Sequence, residues 1–436
     1  MLFLQSVRLF FAFVGVFISI QLGQHIAAMT ASKRAIVTNS SGINAGISNN
    51  CMALKPLKVE VINNIKGSQP FVYITGVDQV GATKFLTRSG TWFYPVVAED
   101  AGFSPIDQAL ISIPIAEQPN VFAVTIQDCV VSGRIWISLG QLPFHVAASD
   151  GGSPYLVPPS VLDSTNTSNT VDWGFVELTH TDRDGLYANL SFVDFVGLIL
   201  SLTLTLEQGD AQKVIGLASD GVYSVCEQLR QQSRLDGLPW DKLCVTAPSG
   251  RPLRVLSPNL YESVHPGATQ GYYAPYVNQV WSKYTSRDLV IDTQSSMGSV
   301  TCRVGQDGLL SCDGDNRGYA RPSASDIWSC STGPFAILAD DNAVHRSVVP
   351  RLCAAFTRST LLIEGGETQP AVDRTRYYPG KITNHYSRAV HQCQLDGKGY
   401  SFPYDDVSPA PDNVAGVVAG KDPRLLQIFV GGHGVA

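Results

Sequence analysis

The chain has 436 residues, of which 16% are charged, and its formal net charge is −6. This length allows a sizeable core and more than one domain. There is no run of Lys or Arg, so the sequence lacks the concentrated positive patch that nucleic acids and anionic membrane surfaces attract. A neutral polymer such as a polysaccharide fits this composition better, and the plentiful Gly and Pro are typical of a β-rich fold with many loops.

The N-terminal segment has the pattern of a signal peptide. Arg8 precedes an apolar run over residues 9–20, and small residues follow at positions 27 and 28. The run is too short to span a bilayer comfortably. We therefore predict a signal peptide over residues 1–28, a linker over residues 29–56, and an extracellular or cell-wall protein that has no membrane contact after cleavage. An uncleaved membrane anchor is the alternative.

Nine cysteines in a secreted chain predict disulfides. The closely spaced pairs are the simplest choices: Cys226 with Cys244, Cys302 with Cys312, and Cys330 with Cys353. An odd count leaves at least one thiol free or paired elsewhere, and no Cys or His spacing predicts a zinc site. Sites for N-glycosylation, which would agree with export, occur at Asn39, Asn166 and Asn189.

The predicted elements change character along the chain. Residues 57–206 contain short β-branched runs separated by Gly, Asp, Asn and Pro, which predict antiparallel strands. Beyond residue 206, apolar residues recur with helical period, and strand signals return near the C-terminus. We predict helices at residues 222–229, 277–284, 348–358 and 384–391, and strands at residues 400–404 and 426–430.

These elements predict a mainly β fold with an α/β insertion. A β lobe would combine residues 57–206 with residues 395–433, and a mixed α/β lobe would occupy residues 207–394. Such a division creates a cleft at the interface of the two lobes, where ligand sites commonly lie.

Two carboxyl groups in an apolar setting are the strongest candidates for chemistry. Glu177 and Asp194 lie in two predicted strands of a hairpin, among Trp173, Phe175 and Phe192. Glycoside hydrolysis ordinarily uses two carboxyl groups, one protonated and one ionised. An apolar surround would raise the pKa of one of them, as a general acid requires. On this segment alone, two surface charges remain the commoner explanation.

The hairpin geometry depends on its register. A turn of two or four residues centred on Arg183 and Asp184 would place Glu177 opposite Leu190, and Asp194 opposite Trp173, with both carboxyls on one face. The two Cα atoms would then be about 14 Å apart. Side chains that reach toward each other could bring the carboxyls to the roughly 6.5 to 9.5 Å of an inverting pair. A one-residue slip would put the two carboxyls on opposite faces.

Several separate blocks, in order, resemble glycoside hydrolase family 64, the endo-β-1,3-glucanases related to the thaumatin-like fold. The resemblance spans roughly residues 57–431. Its blocks are Val171-Asp-Trp-Gly-Phe-Val-Glu-Leu-Thr179, residues 186–197, Tyr276-Val-Asn-Gln-Val-Trp-Ser-Lys-Tyr284, residues 351–359, residues 383–388 and residues 396–407.

This resemblance implies a fold and an activity. The fold would be a thaumatin-like β-barrel or sandwich lobe and a mixed α/β lobe that flank a wide groove. The activity would be inverting endo-hydrolysis of a β-1,3-glucan without a metal. We further predict a monomer that needs no cofactor and acts on a laminarin-like glucan. The family's general acid corresponds to Glu177 and its general base to Asp194.

The resemblance also implies sugar contacts. Thr179 and Ser191 match positions that line the sugar site in the family. Bacterial members carry a Trp near the position of Tyr187, where this chain departs from the pattern, and we include Tyr187 among the predicted contacts. Asp405 and Asp406 could give the groove a negative lining, but adjacent strand residues face opposite ways, so at most one points in, and we select Asp406.

The remaining candidates have simpler explanations. His180 would be a solvated residue near the hairpin turn, and Trp281 and Tyr284 would pack in the core. Aromatic pairs in loop-like segments could either stack on glucose or cover core edges: Tyr272, Tyr273, Tyr377 and Tyr378. A non-catalytic thaumatin-like glucan-binding wall protein is the alternative function, because a fold does not determine an activity. A purely structural surface protein is a third interpretation.

Overall fold

The computed structural model describes residues 54–78, 80–97, 102–148, 154–162, 166–409 and 413–433. The predicted signal peptide, most of the linker and Asn39 lie outside these residues. Within the described ranges, no helix combines the length and apolar character needed to cross a membrane.

The largest sheet has eight strands, and it contains the predicted hairpin that carries Glu177. Strands are numbered along the chain. In spatial order they are β22 (Val417–Gly420), β12 (Gly185–Leu190), β11 (Trp173–Thr181), β8 (Val130–Ser138), β2 (Phe71–Val77), β3 (Thr83–Leu86) and β4 (Trp92–Phe93), and β6 (Ile113–Pro114) also pairs with β2. Every pairing in this sheet is antiparallel.

A five-stranded sheet brings the two ends of the described chain together. Its order is β15 (Gln212–Val214), β14 (Leu200–Leu206), β23 (Pro423–Val430), β1 (Leu57–Asn63) and β7 (Val121–Ile126). β1 and β23 pair in parallel, and the other neighbours are antiparallel. The predicted strand at residues 426–430 is confirmed as part of β23.

The main hydrophobic core joins these two sheets. Alternate residues of β1, such as Val59 and Val61, belong to one buried cluster with Val176 and Leu178 of β11. The cluster continues without a break into the helical part of the chain. The opposite face of the eight-stranded sheet carries a second, aromatic cluster that includes Trp136, Trp173, Phe175 and Phe195.

Three smaller sheets complete the β structure. The first contains β10 (Pro154–Val157), β9 (His145–Ala148) and β5 (Phe103–Pro105). The second contains β13 (Phe195–Val196), β17 (Pro252–Leu256) and β16 (Cys244–Thr246). The third contains β20 (Leu310–Cys312), β19 (Ser299–Val304), β18 (Leu289–Asp292) and β21 (Thr368–Gln369).

Seven α-helices are present among the described residues, and all four predicted helices are confirmed. They are α1 (Gln108–Ile111), α2 (Gly221–Asp236), α3 (Pro258–Val264), α4 (Ala274–Tyr284), α5 (Ala324–Ser329), α6 (Ala343–Thr357) and α7 (His385–Cys393). Asn384 caps α7 by accepting a hydrogen bond from the backbone N–H of Ser387, as its residue type favours. The division into two lobes stays a prediction.

The three predicted disulfides are present: Cys226–Cys244, Cys302–Cys312 and Cys330–Cys353. Cys129 is also disulfide-bonded, and Cys393 is a free thiol. The predicted strand at residues 400–404 is wrong, because this segment forms a turn that follows an isolated bridge between Tyr400 and Ser191. Its aromatic residues suggested a strand, but buried side chains such as Phe402 and Tyr404 fit a packed turn equally well.

Candidate active site

The hairpin that carries Glu177 has a different register from the predicted one. Glu177 lies opposite Asn189, and Thr181 lies opposite Gly185, so the turn contains the three residues 182–184. The predicted pairing of Glu177 with Leu190 is therefore wrong by one residue. The local pattern suggested loops of even length, whereas Gly185, with φ of 75°, allows a three-residue loop.

In a straight strand, this register would put Asp194 on the face away from Glu177. The strand is not straight, because β12 ends at Leu190 and the chain crosses to another sheet at Phe195. Asp194 therefore lies in the crossing segment, where its carbonyl oxygen accepts a hydrogen bond of 2.8 Å from the backbone N–H of Ser257. The predicted position of Asp194 opposite Trp173 is wrong, but the bend returns its carboxyl to the neighbourhood of Glu177.

Arg134 joins the two carboxyl groups electrostatically. It lies opposite Glu177 in the ladder of β8 and β11, and its Nη2 and Nε donate to Glu177 Oε1 at 2.9 and 3.3 Å. The Arg134 side chain is 12% exposed and that of Glu177 is 29% exposed. The guanidinium also lies over the Phe175 ring, 4.3 Å from its centre. An ion pair this poorly solvated is screened much less than one on the surface.

The surroundings of Asp194 favour its protonated form. Burial raises the pKa of Asp194, the positive charge of Arg134 opposes this rise, and the negative charge of Glu177 adds to it. The apolar surround thus acts on the predicted base. Glu177, the predicted acid, is instead held by a cation in the free protein.

The predicted sugar contacts gather around Tyr400, which the sequence analysis did not single out. Thr179 shares the face of Glu177 and lies opposite Tyr187, whose hydroxyl is 3.1 Å from that of Tyr400. Ser191 forms a bridge with Tyr400. These residues are half-buried, apart from Thr179, which is buried. Thr179 and Tyr187 thus extend the face of Glu177 toward the hairpin turn, and Ser191 follows directly after β12.

The two acids after Tyr404 lie in a turn and differ in burial. Asp405 is fully buried and is paired with Arg358 and His391. Asp406 is half-buried. Burial raises the pKa of Tyr400, and the negative charge of Asp406 raises it further. Asp406 is therefore the one that lies near the predicted sugar contacts, whereas Asp405 is structural.

His180 does not have the predicted solvated position. It is 1% exposed, and its Nε2 lies 2.9 Å from the carbonyl oxygen of Lys55. Burial lowers its pKa. The prediction failed because residues just before β1, distant in sequence, cover this end of the hairpin.

The other aromatic candidates lie mainly within the packed interior. Trp281 and Tyr284 are buried in the core, as predicted. Tyr273 and Tyr378 are also buried, and the hydroxyl of Tyr272 donates to the carbonyl oxygens of Lys381 and Thr383. These contacts favour structural roles over stacking on a sugar.

Arg134 and Tyr400 are the site residues that sequence reasoning missed. Arg134 precedes Glu177 by 43 residues, and nothing in its local sequence marks it. Antiparallel pairing of β8 with β11 alone makes the two neighbours. Tyr400 was assigned to a strand, and it reaches the site through a turn. Within the described ranges, no cluster of three or more His, Cys, Asp or Glu side chains could hold a metal ion.

The geometry supports acid–base chemistry. Two carboxyl groups interact with each other and with one cation, on a face that also carries several hydroxyl groups. Two carboxyl groups in one site can provide a proton donor and a proton acceptor, which are the two roles that glycoside hydrolysis requires.

Comparisons of sequence agree with this chemistry. The profile of the glycoside hydrolase 64 family, described as β-1,3-glucanase, matches residues 55–430. A glucan endo-1,3-β-glucosidase of Cellulosimicrobium cellulans is 26% identical over 388 residues, which are 87% of this chain and 66% of that protein. An enzyme of the same name from Arthrobacter sp. (strain YCWD3) has the same identity and coverage. The chain thus spans just under two thirds of the length of these relatives.

Two solved structures share the fold. A laminaripentaose-producing β-1,3-glucanase in complex with laminaritetraose is 28% identical, with a TM-score of 0.72 over 87% of this chain and 98% of its own. The β-1,3-glucanase domain of Clostridium beijerinckii has a TM-score of 0.67 over 86% of this chain and 99% of its own, and its 18% identity bears on the fold alone. The profile covers most of the chain, so this protein belongs to glycoside hydrolase family 64, the β-1,3-glucanases.

Proposed function

We propose that this chain is a secreted, monomeric endo-β-1,3-glucanase that cleaves its glucan with inversion. The observation that carries the proposal is the interaction of Glu177, Asp194 and Arg134 on a face lined by hydroxyl groups. Family membership supports the activity, and the relative crystallised with laminaritetraose supports a laminarin-like substrate. The same membership supports a thaumatin-like β lobe and an α/β lobe beside a wide groove.

In the proposed reaction, protonated Glu177 donates its proton to the glycosidic oxygen, and the bond from that oxygen to the anomeric carbon breaks. Ionised Asp194 removes a proton from a water molecule that attacks the opposite face of the ring. After one turnover Glu177 is ionised and Asp194 is protonated, and proton exchange with solvent restores the starting state of both groups. Thr179, Tyr187, Ser191 and Asp406 would contact the sugar. Inversion is proposed from the family resemblance, because the register that predicted a wide separation of the carboxyls is wrong.

The electrostatics of the free protein favour the reverse order of acid and base. Burial raises the pKa of Asp194, the proposed base, and a cation is paired with Glu177, the proposed acid. A bound sugar displaces water from both groups and changes both environments. The order proposed here follows the family resemblance, and kinetics with an activated substrate distinguish the two orders.

Secretion is a separate part of the proposal. The disulfides among the described residues support an oxidising compartment. Asn166 is half-buried and is the more accessible of the two described glycosylation sites, whereas Asn189 is 5% exposed within β12. Expression in a secreting host should place the protein in the medium, with a new N-terminus near residue 29.

The first test is the hydrolysis of laminarin, with the anomeric form of the new reducing end followed by NMR. We expect α-anomer at early times, since inversion of a β-linkage yields the α-anomer. Initial β-anomer would contradict inversion. Laminarin binding without release of sugar would favour the non-catalytic glucan-binding protein.

Glu177→Gln and Asp194→Asn should each lower kcat on laminarin by at least about a hundredfold. Glu227→Gln is a matched control, because Glu227 also pairs with an Arg and has a 34% exposed side chain. Asp172→Asn matches Asp194→Asn, since burial also raises the pKa of Asp172. Undiminished hydrolysis by either site variant would remove that residue from its role.

An aryl laminarioside with a good leaving group distinguishes acid from base. Such a group departs without protonation, so the acid variant should recover activity on this substrate. The base variant should not recover activity on this substrate alone. Added azide should restore its turnover, because azide replaces water as the nucleophile. We expect recovery for Glu177→Gln and azide rescue for Asp194→Asn. The opposite pattern would establish the reverse order.

A further inference from the structure

The contact between Arg134 and Glu177 is asymmetric. Both donor nitrogens of Arg134 point to Oε1, at 2.9 and 3.3 Å. Among the described residues, Glu177 Oε2 receives no hydrogen bond from the protein. A carboxyl that donates a proton needs one oxygen free for that proton, while the other can be held. The contact with Arg134 holds Oε1 and leaves Oε2 available for the proton.

Arg134 is held in place by strand pairing on both sides and by two aromatic rings. Its backbone pairs with Glu177 on one side and with Thr75 of β2 on the other. Its guanidinium lies 4.3 Å from the ring centre of Phe175 and 5.2 Å from that of Trp136. A planar guanidinium stacks on aromatic rings and offers several donors in a rigid fork, which a Lys ammonium cannot reproduce.

The charge of Arg134 acts on both carboxyls. Burial raises the pKa of Asp194, and Arg134 is the group that opposes the rise. Glu177 faces Arg134 from β11, Asp194 faces the pair from the crossing segment, and Tyr386 of α7 is electrostatically coupled to Asp194. One positive charge therefore balances one of two carboxylates, and repulsion between the carboxylates disfavours ionisation of the second.

Building on the proposed function, we propose that Arg134 is a positioning residue for the reaction. It holds Glu177 by one oxygen, so that the other is free to carry the transferred proton. Its charge permits one carboxyl of the pair to ionise while the other keeps its proton. Arg134 does not touch the reacting atoms and acts only through the two carboxyls.

Two substitutions separate charge from orientation. Arg134→Met removes the charge and keeps much of the apolar stem, so Asp194, whose pKa Arg134 lowers, should ionise at higher pH. The limb of the pH–activity profile that Asp194 sets should then move up by about one pH unit. Arg134→Lys keeps the charge and loses the fork, so its limbs should coincide with those of the parent while kcat falls roughly tenfold or more. Arg303→Met, which breaks an exposed ion pair with Asp288, is the matched control.

A direct titration makes the test independent of activity. The carboxyl carbons of Glu177 and Asp194 can be followed by NMR in ¹³C-labelled protein, with Glu177→Gln and Asp194→Asn used for assignment. The titration of Asp194 should shift to higher pH in Arg134→Met and not in Arg303→Met. Arg134→Gln serves in the same experiment if Arg134→Met does not fold.

The outcomes distinguish the two proposals. An active parent whose pH limbs and carboxyl titrations are the same in Arg134→Met would overturn the role of Arg134 and leave the glucanase proposal standing. A parent without activity on β-1,3-glucan would overturn the proposed function. In that case, unchanged carboxyl titrations in Arg134→Met would overturn the electrostatic role as well.

Discussion

Arg358 and Asp405 form an ion pair that is closed to solvent, with 2.8 Å between Nη2 and Oδ1 and side chains only 3% and 1% exposed. The other oxygen of Asp405 receives a hydrogen bond from His391 Nε2 at 2.8 Å and two bonds from Ser401 at 2.9 Å. This carboxylate therefore fixes the turn that follows Tyr400. Through that turn, the buried ion pair supports Tyr400 and Asp406, which are half-buried.

Asp405→Asn should strongly destabilise the protein. The substitution keeps the shape of the side chain but leaves the buried charge of Arg358 unpaired. We expect the free energy of unfolding to fall by about 3 to 5 kcal/mol, measured by urea denaturation. Asp288→Asn is the control, because the pair of Asp288 with Arg303 is half exposed and should contribute less than about 1 kcal/mol. Equal effects of the two substitutions would contradict a special role for the buried pair.

The same pair predicts how stability depends on pH. Burial alone would raise the pKa of Asp405, but His391 and Arg358 outweigh it and lower the pKa to about 2. A folded-state pKa below the unfolded value of about 3.9 stabilises the protein above that value, and this contribution is lost as the pH falls toward 2. We expect a loss of about 2 to 3 kcal/mol between pH 5 and pH 2. In Asp405→Asn, the unfolding free energy should lack this part of the pH dependence.

Gly185 should be essential for the hairpin register. Its φ is 75°, and a Cβ there would lie 2.2 Å from the carbonyl oxygen of Gly420 and 2.5 Å from the Cα of Lys421. Gly209 also has a positive φ, of 90°, but a Cβ at that position would meet open space, with no neighbouring atom within 4 Å. Both alanine substitutions incur backbone strain, and only Gly185→Ala adds a steric clash with backbone atoms.

We expect Gly185→Ala to lower the free energy of unfolding by about 1 to 3 kcal/mol more than Gly209→Ala. It should also reduce glucanase activity, because the pairing of β11 with β12 positions Glu177. Thermal denaturation and laminarin turnover would be compared for the two variants. Similar values for both would show that the hairpin tolerates a shift at this position.

The hydroxyl pair of Tyr187 and Tyr400 should contribute to substrate binding. Tyr187→Phe keeps the ring and removes the hydroxyl that lies 3.1 Å from that of Tyr400. A hydrogen bond of this kind is worth about 1 kcal/mol, so KM for laminarin should rise about fivefold with a smaller change in kcat. Tyr223→Phe, at an exposed position of α2, is the control and should leave KM unchanged. A KM for Tyr187→Phe equal to that of the parent would remove Tyr187 from the sugar site.

Local patterns were sufficient for much of the secondary structure. Helix α7 begins after Asn384 because an Asn side chain can accept a hydrogen bond from the first turn, and α2 follows from the helical period of Val222, Cys226 and Leu229. The short spacing of Cys302 and Cys312 was enough to pair them. These features depend on residues that are neighbours in sequence. The segment at residues 400–404 shows the limit, because its aromatic side chains suit a strand and a packed turn alike.

The amino-acid sequence by itself was enough to name two candidate carboxyl groups among aromatic residues and the family to which the chain belongs. Only the tertiary structure decided the pairing of Glu177 with Asn189, the bend that returns Asp194 to its neighbourhood, and the ion pair of Arg134 with Glu177. The reason is physical. A strand can slip by one residue at little local energetic cost, and the register is set by contacts between segments that are far apart in the chain.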